Sequence, residues 1–251
     1  MLVDVHCHLY FPQFEKDFEE VIKRAESVGL VSIINAGTDH DSNVTVLGLS
    51  KKYKIINATL GLYPTEALEI SDEELDKELD FIKSHKDNIV GIGEVGLDFQ
   101  LTTEPEQREK QIKVFKKLIT ELKPLNKTFV IHSRKAEKQC IEILEELEVK
   151  KVNFHCFSGN FKLAKRIEQN NWTMSIPANI GKSEHFQGIV KQTSINNLLT
   201  ETDSPFLSPV GEERSEPSFV KQTIKKIAEI KDMDVKEVTN NIFLNYQKSF
   251  S

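Results

Sequence analysis

The sequence predicts an α/β fold, a (β/α)8 TIM barrel, and three observations carry that prediction. Short β-branched or apolar runs alternate with amphipathic helical patterns from one end of the chain to the other, the rhythm of repeated βα units on a parallel sheet. Eight such runs can be counted, the number a closed barrel requires. The length, 251 residues, matches the ~250 residues of a typical barrel, so residues 1–251 read as one domain.

The strands are expected at Leu2 to His6, Val31 to Ala36, Ile55 to Leu60, Ile89 to Glu94, Thr128 to His132, Lys151 to His155, Trp172 to Ile176 and Asn197 to Glu201. After the first, Phe14, Phe18, Val21, Ile22, Ala25 and Val28 fall three and four apart, as an outer helix requires, and Gly29 stops it. Ser71-Asp-Glu-Glu74 is a capping box opening a helix before the fourth strand. From Pro105 to Lys123, Ile112, Phe115, Leu118, Ile119 and Leu122 form one apolar stripe. Between Ile180 and Ser194 periodicity is poor and Gly181 and Gly188 interrupt it, so a loop with a short helix is expected. Ser204 to Pro217 is the longest structureless stretch after a strand, a candidate lid or substrate loop.

Hydrophobic residues at 39% and charged residues at 29% describe a chain able to bury a large core, with no compositional sign of disorder. A net charge of −6 excludes the broad basic surface of a tight non-specific duplex binder, so a polyanionic substrate would have to be held by metals and a few local cations. There is no basic segment followed by an apolar one at the start, and no apolar run approaches the ~20 residues of a membrane span, so a cytoplasmic chain is expected. Cys7, Cys140 and Cys156 are odd in number and lack Cys-x-x-Cys spacing, which fits small buried residues rather than disulfides or a thiolate zinc site.

The chemistry lies where the strands end. In extended chain His6 and His8 point to the same face, so both imidazoles can reach one ion. Glu94 is expected to end the fourth strand, His132 the fifth and His155 the sixth, and Asp203 follows the eighth. Active sites of barrel enzymes gather at this C-terminal face, so six ligand-type residues converge on one mouth. A carboxylate emerging from a buried strand, as Glu94 would, needs a partner to offset desolvation, and a divalent cation supplies one. Four histidines and two carboxylates exceed the needs of a single zinc and fit a binuclear centre with Glu94 as the bridge. Mixed imidazole and carboxylate ligands suit zinc or manganese, and magnesium where carboxylates and waters dominate. Glu201, two residues before Asp203, reads either as a carboxylate supporting a ligand or as a buried partner for a polar residue inside the barrel.

The runs Val3-Asp-Val-His6-Cys-His8-Leu9, Gly61-Leu-Tyr-Pro64, Gly93-Glu94-Val-Gly-Leu-Asp98, Ile131-His-Ser-Arg134, His155-Cys-Phe-Ser-Gly159 and Glu201-Thr-Asp203-Ser-Pro205 closely resemble the TatD family of metal-dependent deoxyribonucleases. The match covers nearly the whole chain, in order. The resemblance implies an amidohydrolase-like barrel and hydrolysis of DNA phosphodiesters, commonly as an exonuclease working from a 3′ end. It implies that His6, His8, Glu94 and Asp203 hold one metal, that Glu94, His132 and His155 hold the other, and that Asp203 also orients or deprotonates the attacking water. Arg134, and Arg214 beside Glu216-Pro217, look like the family's residues near substrate, and the planar guanidinium fork suits phosphate. Two positions depart from the pattern: Tyr63 where many relatives have histidine, and Lys135 where many have aspartate. Tyr63 could stack on a base or sugar, and Lys135 makes the mouth more positive. The rival readings are a hydrolase of the same kind acting on another ester, a lactone or a phosphomonoester, and a metal-bound scaffold without catalysis, for which a closed ligand set would be expected.

Overall fold

The computed structural model describes residues 1–211 and 214–250. Its strands follow one another around a barrel in sequence order, each parallel to the next. They are β1 (Leu2–Cys7), β2 (Leu30–Ala36), β3 (Ile56–Leu60), β4 (Gly91–Asp98), β5 (Thr128–Arg134), β6 (Val152–Phe154), β7 (Thr173–Ile176) and β8 (Leu198–Thr200). The seam between β8 and β1 closes just beyond β8. There the Asp203 amide donates to the His6 carbonyl at 2.9 Å and the His8 amide donates to the Ser204 carbonyl at 2.7 Å. The expected (β/α)8 barrel is the fold observed.

The helices are α1 (Phe18–Ser27), α2 (His40–Lys52), α3 (Glu66–Glu69), α4 (Asp72–Ser84), α5 (Pro105–Leu122), α6 (Glu137–Glu146), α7 (Phe161–Gln169), α8 (Glu184–Gln192), α9 (Val220–Lys231) and α10 (Val235–Phe250). Their starts are chemical. The Ser71 side chain accepts from the Glu74 amide while Glu74 reaches back to the Ser71 amide, and Asp39 and Ser42 do the same for α2. Gly29, at φ 93°, turns the chain out of α1. Apolar helix faces, such as Leu75, Leu79 and Ile82 of α4 and Phe115, Leu118 and Ile119 of α5, pack with the buried strands as one core. A smaller cluster joins Phe14 and α1 to Leu30, Ile33 and Ile56. No described helix is long and apolar enough to cross a membrane.

The loop with a short helix expected between Ile180 and Ser194 is found: α8 is a nine-residue helix with Ser183 capping the Phe186 amide and Phe186, Ile189 and Val190 buried, so the interrupted segment still supplies one apolar face. Two strands differ from the sequence expectation. β4 runs on to Asp98 and β5 to Arg134, so Glu94 and His132 do not end their strands. The reason is continued pairing: Gly96, Leu97 and Asp98 stay in register with His132, Ser133 and Arg134.

Candidate metal centre

Two strands carry a one-residue bulge at their candidate ligands. On β1, Asp4 pairs with Ile33 and Cys7 with Asn35, so three steps match two on the neighbour. On β4, Ile92 pairs with Phe129 and Val95 with Ile131, again three steps against two, and Glu94 lies inside the slip. Bulges of this kind re-aim a side chain beside an active site. Glycine makes the second one feasible. Gly93 and Gly96 sit at φ 151° and 148°, and a Cβ on them would lie 2.6 Å from the Val130 carbonyl oxygen and 1.9 Å from that of His132.

The six residues predicted to bind metal come together. His6 Nε2 and His8 Nε2 are 3.2 Å apart, both are 3.4 Å from Glu94 Oε2, and they are 3.6 and 3.5 Å from Asp203 Oδ1. The other Glu94 oxygen faces a different pair: Oε1 is 2.7 Å from His132 Nδ1 and 2.8 Å from His155 Nε2, which are 3.1 Å from each other. His6 also lies close enough to Glu94 and His155 for their ligand atoms to share a 4.8 Å sphere, so the two groups abut.

These contacts fit a cation better than they fit one another. The His8 Nδ1 must donate to the Ala36 carbonyl at 3.1 Å, which leaves its Nε2 as a lone pair aimed at a second imidazole nitrogen and two carboxylate oxygens. Adjacent ligands around a tetrahedral zinc with bonds of about 2.0–2.1 Å are about 3.3–3.4 Å apart, the spacing seen in the first group. The shorter separations in the second group lie near the roughly 3 Å edge of an octahedral site. Among the described residues the Nδ1 atoms of His6 and His155 are buried without a hydrogen-bond partner, so the polar contacts of both rings are those of Nε2.

Electrostatics agree. Burial raises the Glu94 carboxyl, but the charge of His155 and hydrogen bonds from His132, His155 and His6 outweigh it and hold the group well below the usual carboxylate range. Asp203 is also pushed up by burial and drawn lower overall, by His8, His6 and His155. Burial and the neighbouring His155 bring His6 down to about 4, so at physiological pH it is neutral, the form that can bind a metal.

A family model described as TatD related DNase matches residues 3–251. The chain belongs to the TatD-related DNase family. An uncharacterized metal-dependent hydrolase of Methanocaldococcus jannaschii is 36% identical over 99% of this chain and 96% of its own length. Deoxyribonuclease TATDN3 of Homo sapiens is 33% identical over 99% of this chain and 94% of its own. Among solved structures, the TatD homologue YjjV of Escherichia coli superposes with a TM-score of 0.91 at 24% identity, covering 99% of this chain and 97% of that one. That likeness confirms the fold.

In this TatD-related metal-dependent hydrolase the ligands open onto a cavity of about 560 Å³. Arg134, exposed at the end of β5, lines it. Arg214 does not: its guanidinium pairs with Asp17 at 2.7 and 2.8 Å, lies over the Phe14 ring, and is held on the far side of the loop. Glu216 is likewise taken up by Arg24. The Ser204–Pro217 loop contributes Phe206 and Leu207 to the cavity wall instead, as α8 contributes Phe186; Glu212 and Glu213 of that loop lie outside the described residues. Glu201 accepts from Ser175 at 2.6 Å inside the barrel, the second of its two expected roles. Tyr63 lines the cavity and bonds Asp98 through its hydroxyl. Sequence reasoning assigns no role to Asp98. Its spacing of four from Glu94, which puts both carboxylates on one face of a strand, was the signal that could have found it. Cys7 and Cys140 are buried free thiols, and Cys156 is half-buried at the cavity edge.

Proposed function

We propose that this chain hydrolyses the phosphodiester bonds of DNA at a centre of two divalent ions, magnesium, manganese or zinc, as a 3′-5′ exonuclease. One observation carries the reading: the two oxygens of one buried carboxylate, Glu94, face two different imidazole pairs. The name of the human relative supports DNA as the substrate. Two ions in such a site polarise a phosphoryl oxygen, acidify a water and stabilise the leaving oxygen.

The chain's own residues supply the rest. His6, His8 and Asp203 with one Glu94 oxygen would hold one ion, and His132 and His155 with the other oxygen would hold the second. Asp203 is the most exposed ligand, with 16% of its side chain accessible, and Oδ1 is the oxygen facing the imidazoles. Its other oxygen, Oδ2, would accept a hydrogen bond from the attacking water and take its proton. Arg134 can grip a phosphate with two parallel hydrogen bonds. Phe186 and Phe206 line the cavity beside these polar groups and offer aromatic surface on which a base of a strand end would stack.

The test is hydrolysis of end-labelled single-stranded DNA by metal-stripped protein resupplied with magnesium, manganese or zinc, beside a Glu94→Ala protein prepared identically. Ladders that need metal and vanish in the variant support the reading. DNA left intact under every ion, with two ions still bound per chain, refutes the nuclease and directs the search to phosphomonoesters, lactones and other esters.

A further inference from the structure

Asp98 is fully buried, yet both of its oxygens are occupied. Oδ1 accepts from the Gln100 and Leu101 amides at 2.9 and 2.8 Å. Oδ2 lies 3.0 Å from His132 Nε2 and 3.1 Å from the Tyr63 hydroxyl, which is itself 3.3 Å from the same Nε2. The Tyr63 and His132 rings are tilted together with centroids 4.8 Å apart. Tyr63 is fixed in turn by its amide, which donates to the Thr38 carbonyl at 2.8 Å.

Counting protons decides what this arrangement does. An ionised carboxylate has no hydrogen to give, and a phenol has one. With the phenolic hydrogen on Asp98, Nε2 of His132 faces two acceptors and must carry the imidazole hydrogen. In the neutral ring that metal binding requires, Nδ1 is then the lone pair, and Nδ1 is the atom facing Glu94 Oε1 and His155 Nε2. No other ligand histidine is held this way among the described residues. His8 is oriented by a backbone carbonyl, and the Nδ1 atoms of His6 and His155 have no partner.

We propose that Tyr63 and Asp98 are positioning residues for the second ion: together they lock His132 as its Nε2–H form and hold Nδ1 toward the Glu94–His155 pair. The proposal rests on the two-ion reading above. It gives the tyrosine at position 63 a role in metal affinity, where the sequence suggested stacking on substrate.

The experiment is calorimetric titration of the metal-stripped full chain with zinc, for wild type, Tyr63→Phe and Asp98→Asn, with 15N imidazole NMR of the zinc-loaded proteins. Wild type should take two ions. Tyr63→Phe should weaken one binding step about tenfold and Asp98→Asn about a hundredfold, the range for such supporting groups, with the other step unchanged. The loaded wild type should show one histidine that binds zinc through Nδ1 and keeps a slowly exchanging Nε2–H. That exchange should quicken in Tyr63→Phe. Tyr63→Phe keeps the ring and removes one oxygen, so it reports even if Asp98→Asn fails to fold. Two ions in wild type with both steps unchanged in Tyr63→Phe, or both weakened equally, overturns this proposal alone. A single ion in wild type overturns the two-ion reading beneath it.

Discussion

Arg134 sets the sharpest expectation at the scale of one residue. It is the guanidinium that lines the cavity, and a charge-assisted pair of hydrogen bonds to phosphate contributes about 1.5–3 kcal/mol. Arg134→Ala should therefore raise KM for single-stranded DNA roughly 10- to 100-fold and leave the ion count unchanged. Arg134→Lys should recover only part, because an ammonium is a point charge without the fork. Steady-state kinetics decide the matter, and an unchanged KM in Arg134→Ala would remove it from the substrate site. The ligands and this arginine were legible because each ends or follows a run that reads as a strand, and strand ends meet at one mouth in a barrel. The position of Arg214 was not legible, because its partner Asp17 lies 197 positions away in the chain and only the folded structure brings them together.

Among the elements, β4 explains how a carboxylate is brought to the centre. Its bulge depends on Gly93 and Gly96, and a side chain at Gly96 would press into the His132 backbone. Gly96→Ala should cost about 1–3 kcal/mol of stability and displace His132, lowering the bound ions in denaturant melts and metal analysis; wild-type values for both would show that β4 can relax. The same periodicity that located β4 misplaced its end, since sequence alone does not reveal pairing that continues past a bulge. In the loop after β8, Asp17 anchors Arg214. The hydrogen bond from Arg214, then that from Arg24, draws the Asp17 carboxyl down to about 2 although burial opposes it. A carboxyl lowered in the folded state adds stability above its ordinary pKa of about 3.9, and that stability fades as pH falls toward the folded value. Asp17→Asn should then cost up to about 1 kcal/mol at neutral pH, with a gap to wild type that narrows below about pH 4; a gap that persists in acid would mean packing rather than charge.

For the molecule as a whole, the centre is also a clasp. Its proposed ligands come from β1, β4, β5, the end of β6 and the turn after β8, so the unfolded chain offers no assembled site and the ions would bind the folded state alone. Two divalent ions would also offset four units of the formal net charge of −6. Above saturation each bound ion adds about 1.4 kcal/mol of stability per tenfold rise in free metal. For a chain of this size 1 kcal/mol moves the melting point by roughly 2–4 °C, so one ion gives a slope of about 3–5 °C per decade and two ions give about twice that. Reversible melts over three decades of chelator-buffered zinc therefore count the ions without any substrate. The doubled slope is expected, and Glu94→Ala, which removes the shared carboxylate, should flatten it toward zero. The single-ion slope in wild type would leave one imidazole pair outside the metal chemistry, and the bridging role of Glu94 would fall with it.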